Sequence, residues 1–493
     1  MDIGQLIQQA YASQGNISKA MTQPTSATTG LQAYNLEPAA KRTYPVLTPM
    51  RNKIPRRTGG YAIQANWKAI TGVNPNRVRA GVSEGNRGGV IGHTEVEKLA
   101  AFKGYGTENF HTFEAEYAAK GFHNIPAETV RQTMEATMIA EEGLMLGGNN
   151  SLALGTTPTP ALVAAAGGSL PNSALSVICV ALGYESYWDL MGFNNGGVGK
   201  SLDIANASVQ TVITRTNADG STDTFNAGSA QKSAAASVTP SANGKVTASL
   251  VNAVRGAYGY AWYWGASGSE VLGAVTDTTT VVISAAATGS QTAASLPAAD
   301  HSRSALEFDG LLTQIVTPGS GGYYYDAQAA SLTSDGAGGI EELTEAFRAF
   351  YNLYRLSPDE LFVNADDLRS MNQLIVGNSG QPILSLNVDI NATREIAAGV
   401  SIGTYLNPYV GKRVKVVVHP NMPRGTMLFY SNSLPGYVQG VQQLTRMYMR
   451  SDYTQINWPV TTRKRYYGVY ADGVLQCYFP PAFGVITNVG AAA

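Results

Sequence analysis

The 493-residue chain is 44% hydrophobic and only 14% charged, with 34 Lys+Arg against 35 Asp+Glu and a net charge of −1. That apolar share is enough for buried cores over two or three domains, and the balanced charge excludes a protein that gathers nucleic acid or membranes through its overall field. Two well-separated cysteines, Cys179 and Cys477, exclude a disulfide framework and read as buried thiols in a reducing cytoplasm.

The opening MDIGQLIQQAYASQG lacks the basic end and apolar run of a signal peptide, and no apolar run approaches the ~20 residues of a membrane span. Residues 1–60 read as an extended arm, punctuated by Pro38, Pro45, Pro49 and Pro55. YAIQANWKAI (61–70) alternates as a strand. The Gly-rich TGVNPNRVRAGVSEGNRGG (71–89) then leaves the body, and FHTFEAEYAAK (110–120) brings the chain back. This predicts a long two-stranded loop, which needs another surface to lie on. A helix follows. Pro126 fits its first turn, Val130, Met134, Met138 and Met145 form one apolar stripe, and Gly147-Gly148 ends it.

From about 155 to 305 the texture changes to short β-rich runs such as LSVICVALG, ASVQTVITRT and TTTVVISAA, separated by turns. This predicts a separate all-β sandwich, without a helix, inserted into a host fold. Within it NNGGVGKS (194–201) is one residue short of a phosphate-binding loop. Asn194 stands where the first glycine belongs, and the β-branched LDIANASVQTVITRT follows where a helix must open, so a plain turn explains it better. The aromatics of YGYAWYWG (258–265) alternate at strand spacing and read as sandwich core.

The host resumes near 306. IEELTEAFRAFYNLYR (340–355) is amphipathic, with Ile340, Leu343, Phe347, Phe350 and Tyr354 on one face. LFVNADDLRSMNQLI (361–375) predicts a buried strand and then a helix capped by Asn364, with Asp367 in a box-like position. GVSIG (399–403) matches the nucleophile-elbow pattern, but no acid lies between Ser401 and His419 and no helix follows, so it is not read as catalytic. RVKVVVH (413–419) and MLFY (427–430) read as strands, and the end as a hairpin through Asp472-Gly473 plus one more strand. His93, His111, His123, His301 and His419 are scattered without ligand spacing, so neither a metal nor a cofactor is expected. The chain does not read as an enzyme.

The order of these parts resembles the major capsid protein of tailed bacteriophages, with the Hong Kong 97-like fold. LTPMRNKIPRR looks like that family's arm, AGVSEGNRGG is similar to its extended-loop segment, and ATMIAEEGLMLGGNNSLALG resembles the end of its spine helix. ELFVNADDLRSMNQL and KVVVHPNMPRGTMLFY resemble the axial domain, and VYADGVLQCYFPPAFGVIT the closing strands of the peripheral domain. The resemblance implies an α+β fold divided as follows: an arm at 1–60, an extended loop at 61–120, and a spine helix at 121–154. An immunoglobulin-like insert would then fill 155–305, the axial domain and its connection 306–450, and the closing strands 451–493. It implies self-assembly as hexamers and pentamers into an icosahedral head enclosing double-stranded DNA. Portal, scaffolding and decoration proteins would be the partners, without a membrane, in a virion assembled in the bacterial cytoplasm. An encapsulin-like nanocompartment and a secreted adhesin or decoration protein are the rival readings.

Charge is unevenly spread. Residues 1–80 carry ten Lys/Arg against only Asp2 and Glu37, and 300–367 carry twelve acids against Arg303, Arg348 and Arg355. Unlike patches suit copies meeting head to tail. The candidate inter-subunit contacts are Lys41, Arg42, Arg51, Lys53, Arg56 and Arg57 on the arm and Arg77, Arg79, Glu84 and Arg87 on the loop. Glu141, Glu142, Glu341, Glu342 and Glu345 are the acids expected to answer them from a neighbouring copy.

Overall fold

The computed structural model describes residues 47–73, 81–120, 124–191, 202–296, 298–336, 338–378, 402–434 and 443–490. Lys41, Arg42, Arg77, Arg79, NNGGVGKS and most of GVSIG lie outside them.

After a short helix α1 (Pro49–Lys53), strand β1 (Arg56–Arg57) lies parallel to β19 (Thr445–Asn457), with Arg56 beside Met447 and Arg57 beside Tyr448. Strands β2 (Gln64–Val73) and β3 (His93–Ala101) pair antiparallel as a two-stranded loop, whose return strand lies earlier in the chain than the expected 110–120. β4 (Lys103–Thr112) then joins β20 (Lys464–Cys477), giving a sheet of order β1-β19-β20-β4. The segment 110–120, expected to bring the chain back in the two-stranded loop, instead ends β4 and forms a helix, α2 (Phe113–Ala118). The Thr112 hydroxyl accepts from the Ala115 N–H and Glu114 and Glu116 occupy the first turn, a capping arrangement that outweighs the strand pattern.

The long helix α3 (Ile125–Gly147) is capped by the Asn124 side chain and carries its proline at the start, as expected. Met145 is buried as expected, but over the preceding turns the buried stripe is displaced by one residue from the expected one. Thr129, Thr133, Thr137, Glu141 and Met145 face inward, while Met134 is 43% exposed. The helix packs on β4 and β20, and Thr133 and Thr137 satisfy their hydroxyls on the carbonyls of Thr129 and Thr133. Thr107 on β4 bonds Thr137 at 2.7 Å.

The β-rich region between α3 and residue 305 contains two antiparallel sheets. One has the order β13-β10-β5, from β5 (Ala161–Leu170), β10 (Gly244–Ser249) and β13 (Thr280–Ile283). The other has the order β12-β11-β6-β9, from β6 (Leu175–Leu182), β9 (Ala236–Val238), β11 (Gly259–Gly265) and β12 (Val271–Thr276). Val177, Cys179 and Ala181 meet Val246, Ala248, Trp262 and Ile283 in one core, so the alternating aromatics of β11 are packing residues. The opposite side chains of β6 and β11, Ile178, Val180 and Tyr263, enter a second core with Tyr187 and Leu272. A small hairpin, β7 (Val212–Thr216) with β8 (Thr222–Asn226), completes the region.

Two expectations for this region are corrected. It contains a helix, α4 (Tyr184–Met191), because Tyr184, Tyr187 and Trp188 recur at helical spacing. Nor is it set apart from the host: the chain from Tyr44 onward is one compact unit, and Tyr184, Trp188 and Tyr258 are packed in the host's own core. Tyr184 also donates to the Asn421 carbonyl at 3.0 Å.

The host's second sheet has six strands in the order β14-β21-β18-β15-β17-β16. They are β14 (Tyr323–Asp326), β15 (Glu360–Val363), β16 (Thr404–Leu406), β17 (Arg413–Val418), β18 (Met427–Tyr430) and β21 (Gly484–Thr487). The short α5 (Leu311–Val316) leads from the β-rich region into this part. Helix α6 (Glu341–Tyr354) buries Leu343, Phe347 and Phe350, as its periodicity predicts, with the two phenylalanines against Phe429. Asn364 accepts the Asp366 N–H at the start of α7 (Ala365–Asn378). Asp367 does not complete a box; its carboxylate accepts the Gly425 N–H at 3.0 Å. Asp472-Gly473 is not a turn but lies inside β20. Asp472 pairs with Arg450 on β19, and a side chain at 473 would strike Met449, so the local turn signal yields to cross-strand packing. The hairpin closes instead near Trp458–Arg463.

Candidate functional site: the arm junction

The last buried turns of α3 place two consecutive carboxylates, Glu141 and Glu142, where α1 and β1 cross the helix. Both are fully buried. Glu141 receives Arg51 Nε at 2.9 Å, Arg56 at 2.6 Å, and the hydroxyls of Tyr105 on β4 and Tyr453 on β19. Arg56 also grips Asp452 at 2.6 Å, and both guanidiniums lie over the Tyr453 ring. Burial pulls the Arg56 pKa down, but the hydrogen bond to Asp452 and the charge of Glu141 more than offset it, so the guanidinium is held above its ordinary range. Burial beside Glu141 pushes the Tyr453 phenol up to about 12, which keeps it a donor.

Glu142 accepts the backbone N–H groups of Met50 and Arg51 at 2.9 and 2.7 Å, and His419 at 2.8 Å. His419 Nδ1 accepts the Asn421 N–H, so the ring proton sits on Nε2 and is donated to Glu142. Lys53 pairs with Glu360 at 2.7 Å and sits over Tyr430. One pair of carboxylates thereby ties α1, β1, β4, β19 and the turn after β17 to the helix. A buried charge is costly unless paired and hydrogen-bonded; here every charge in the junction has at least one partner.

This arrangement corrects one expectation. Arg51 and Arg56 were expected to meet acids of a neighbouring copy, but they meet Glu141 within the same chain, because α1 runs directly across the end of α3. Lys53 is likewise engaged internally. Arg57 is exposed and lies over Tyr448. Glu84 and Arg87 stand exposed in the loop between β2 and β3, with no ion pair among the described residues. Glu341, Glu342 and Glu345 lie on α6, away from the arm's cations. Glu342 accepts the Thr333 N–H and Glu345 pairs with Arg348. Tyr105, Tyr453, Asp452 and His419 were missed as junction residues. The available signal was the pair Glu141-Glu142, separated only by Gly143 from Leu144, Met145 and Leu146, acids in a helix end too apolar to face water.

The β2–β3 hairpin carries an unusual share of exposed apolar residues around it. Val90 is 100% exposed, and Tyr61, Ile63, Ile91 and Leu99 are also open. Among the described residues no group of three or more His, Cys, Asp or Glu is placed to hold a metal ion, and no helix is long and apolar enough to cross a membrane.

No family model matches the chain, and no curated protein matches it. Among solved structures it is similar to the capsid of Myoviridae phage XM1, at 9% identity and a TM-score of 0.39 over 95% of this chain and 97% of that one. It is similar to the capsid of an empty GTA particle, at 7% identity and a TM-score of 0.42 over 96% and 100%. An encapsulin complex from Synechococcus elongatus is similar at 14% identity and a TM-score of 0.25, over 38% of this chain and 58% of that one.

Proposed function

We propose that this chain is a shell-forming structural protein, the major capsid protein of a tailed bacteriophage with a Hong Kong 97-like fold. It assembles as hexamers and pentamers around double-stranded DNA, in a virion built in the bacterial cytoplasm. Portal, scaffolding and decoration proteins are its expected partners. The observation that carries the reading is the arm junction. A chain that fixes α1 and β1 to one rigid helix through buried charge, and that carries beside them a two-stranded loop with exposed apolar residues, has a firm base from which segments can reach a neighbouring copy. A two-stranded hairpin with exposed apolar side chains gains stability by lying on another surface. The divisions at 60, 120, 154, 305 and 450 belong to this proposal, with 155–305 as the insert. So does a contact role for Arg57, Glu84, Arg87, Glu341 and Glu345, none of which takes part in the junction's pairs.

The test is electron microscopy of particles purified from cells producing the chain, with and without nuclease treatment. Closed icosahedral shells with hexamer and pentamer clustering support the proposal. Protein cargo in place of nucleic acid favours the nanocompartment. A chain that stays monomeric under every assembly condition overturns the shell reading.

A further inference from the structure

Strand β19 sends Met447 and Met449 into the core, so by alternation Arg446 and Tyr448 point from its opposite face. The Arg446 guanidinium lies 4.9 Å from the centre of the Tyr478 ring and 5.5 Å from that of Tyr448. Its Nε donates to Gln476 Oε1 at 2.8 Å, and the Tyr478 hydroxyl donates to the same oxygen at 3.0 Å. Gln476, paired with Arg446 across the sheet, is buried. Two rings and one buried amide thus fix the guanidinium by its Nε side, which leaves the Nη edge to meet a partner. Arg57, opposite Tyr448 on β1, lies over the same ring at 5.8 Å. Burial raises the Tyr478 phenol, and the charges of Arg446 and then Arg57 oppose the rise, so both cations stand near one hydroxyl. Neither arginine meets a carboxylate among the described residues, and Asp472 is taken by Arg450.

We propose, on the reading that the chain self-assembles, that Arg446 and Arg57 form an oxyanion clamp that receives a carboxylate from a second copy of this chain, and that the carboxylate is Glu341 at the start of α6.

Two guanidiniums beside one ring repel each other unless an anion joins them, and a guanidinium held by its Nε presents its other edge for paired bonds to an oxyanion. Exposed Tyr61 and Ile63 border the clamp, because the Tyr448 hydroxyl donates to the Gly59 carbonyl and Arg450 to the Ala62 carbonyl. Arginine set among tyrosines and exposed apolar side chains is the composition of a protein interface. A DNA backbone fits less well, since strongly held duplexes draw on about 6–10 phosphate contacts and the clamp supplies only Arg57 and Arg446. On the donor side, Glu341 is exposed, and its carboxylate has no hydrogen bond or ion pair among the described residues. Glu342 is held by the Thr333 N–H and Glu345 by Arg348. Burial raises the phenol of half-exposed Tyr325, and Glu342, Asp326 and Glu341 raise it further, so the donor surface is both acidic and aromatic. Glu84 is the weaker donor: in sequence it lies between Arg79 and Arg87, whose charge opposes approach to a cationic clamp. Unlike surfaces on one chain make a head-to-tail contact, the kind that closes into rings.

The test is self-association of the full chain by sedimentation, with shells scored by electron microscopy and folding by melting temperature. Glu341→Arg and Arg446→Glu are each expected to melt within a few degrees of the parent and to weaken self-association about tenfold or more, as loss of a charge pair between partners does. The Arg446→Glu, Glu341→Arg double variant is expected to recover most of that loss. If Arg446→Glu melts low, Arg57→Glu takes its place in both arms. Undiminished association in Glu341→Arg, or a double variant no better than the single ones, overturns the clamp. A DNA duplex that binds the parent but not Arg446→Glu, with self-association unchanged, assigns the arginines to phosphate and overturns it as well. The clamp and the shell reading fail separately. Shells of normal yield from the single variants overturn the clamp alone, and a parent that associates through the clamp without closing shells overturns the shell reading alone. A parent that stays monomeric overturns both.

Discussion

Arg56 joins Glu141 on the helix to Asp452 on β19 with one guanidinium. Replacing it with Glu sets three carboxylates against one another in a buried site. Arg56→Glu is therefore expected to cost the unassembled subunit about 3–5 kcal/mol, the usual range for breaking a buried pair. Arg57→Glu, at an exposed position, is expected to cost under about 1 kcal/mol. Urea denaturation of the two variants checks this, and equal midpoints would contradict the assignment. An assembly defect in Arg57→Glu then reports a contact between copies, whereas one in Arg56→Glu reports an unstable subunit. Asp367 offers a second measurement. Burial holds its carboxyl near 7 although it accepts the Gly425 N–H. The folded-state pKa lies above the ordinary carboxylate value of ~4, so its contribution is intact below pH ~4 and lost as pH rises through 7. Asp367→Asn should match the parent's melting temperature at pH 4 and exceed it at pH 8; a parent that is the more stable at pH 8 would refute this.

Helix α3 shows what periodicity reveals and what it hides. Its start, end and proline were legible, because capping and termination are local. Its buried face was not: Val130, Met134 and Met138 outrank threonine on any apolar scale, yet Thr129, Thr133 and Thr137 face the sheet. Threonine is compact, and its hydroxyl can bond the carbonyl one turn back, so it permits close approach to β4 without an unsatisfied donor. Thr137→Val, which removes one of the two hydrogen bonds of the Thr107 hydroxyl and leaves the one to the Thr133 carbonyl, is expected to destabilise the subunit by about 1 kcal/mol; a gain in stability would show that the apolar reading of this face was right. Gly147 was read as a terminator, but it is also a seat. A Cβ there would lie 2.0 Å from the Tyr184 ring. Gly147→Ala should therefore cost about 1–3 kcal/mol by overpacking, read as a lower melting temperature. A neutral result would mean that α4 docks loosely. The Asp472-Gly473 error has the same root, since turn propensity is local and the partners that overrule it, Met449 and Arg450, are distant in sequence.

For the whole molecule, shifts in composition persist over long stretches, and they marked the long helix, seen at Ile125–Gly147, and the run of short strands that follows it; the division into arm, loop, insert and host belongs to the proposed function. Where oppositely charged groups meet was not legible. The basic arm and the acids were identified, but whether they pair within a copy or between copies depends on which segments cross in space. Shortening the loop between β2 and β3 by removing 76–90 is expected to leave the melting temperature of the subunit within a few degrees while abolishing shells, as scored by electron microscopy. Shells of normal yield would remove the loop from assembly. The parallel pairing of β1 with β19 carries a mechanical consequence. Tension applied along the arm in the strand direction loads the β1 hydrogen bonds, the two guanidinium bridges to Glu141 and the Glu142 grip on α1 side by side. They must then shear together, whereas a pull across the sheet would peel them one after another. The junction is thus a tether whose strength depends on direction, strongest along the line of β1.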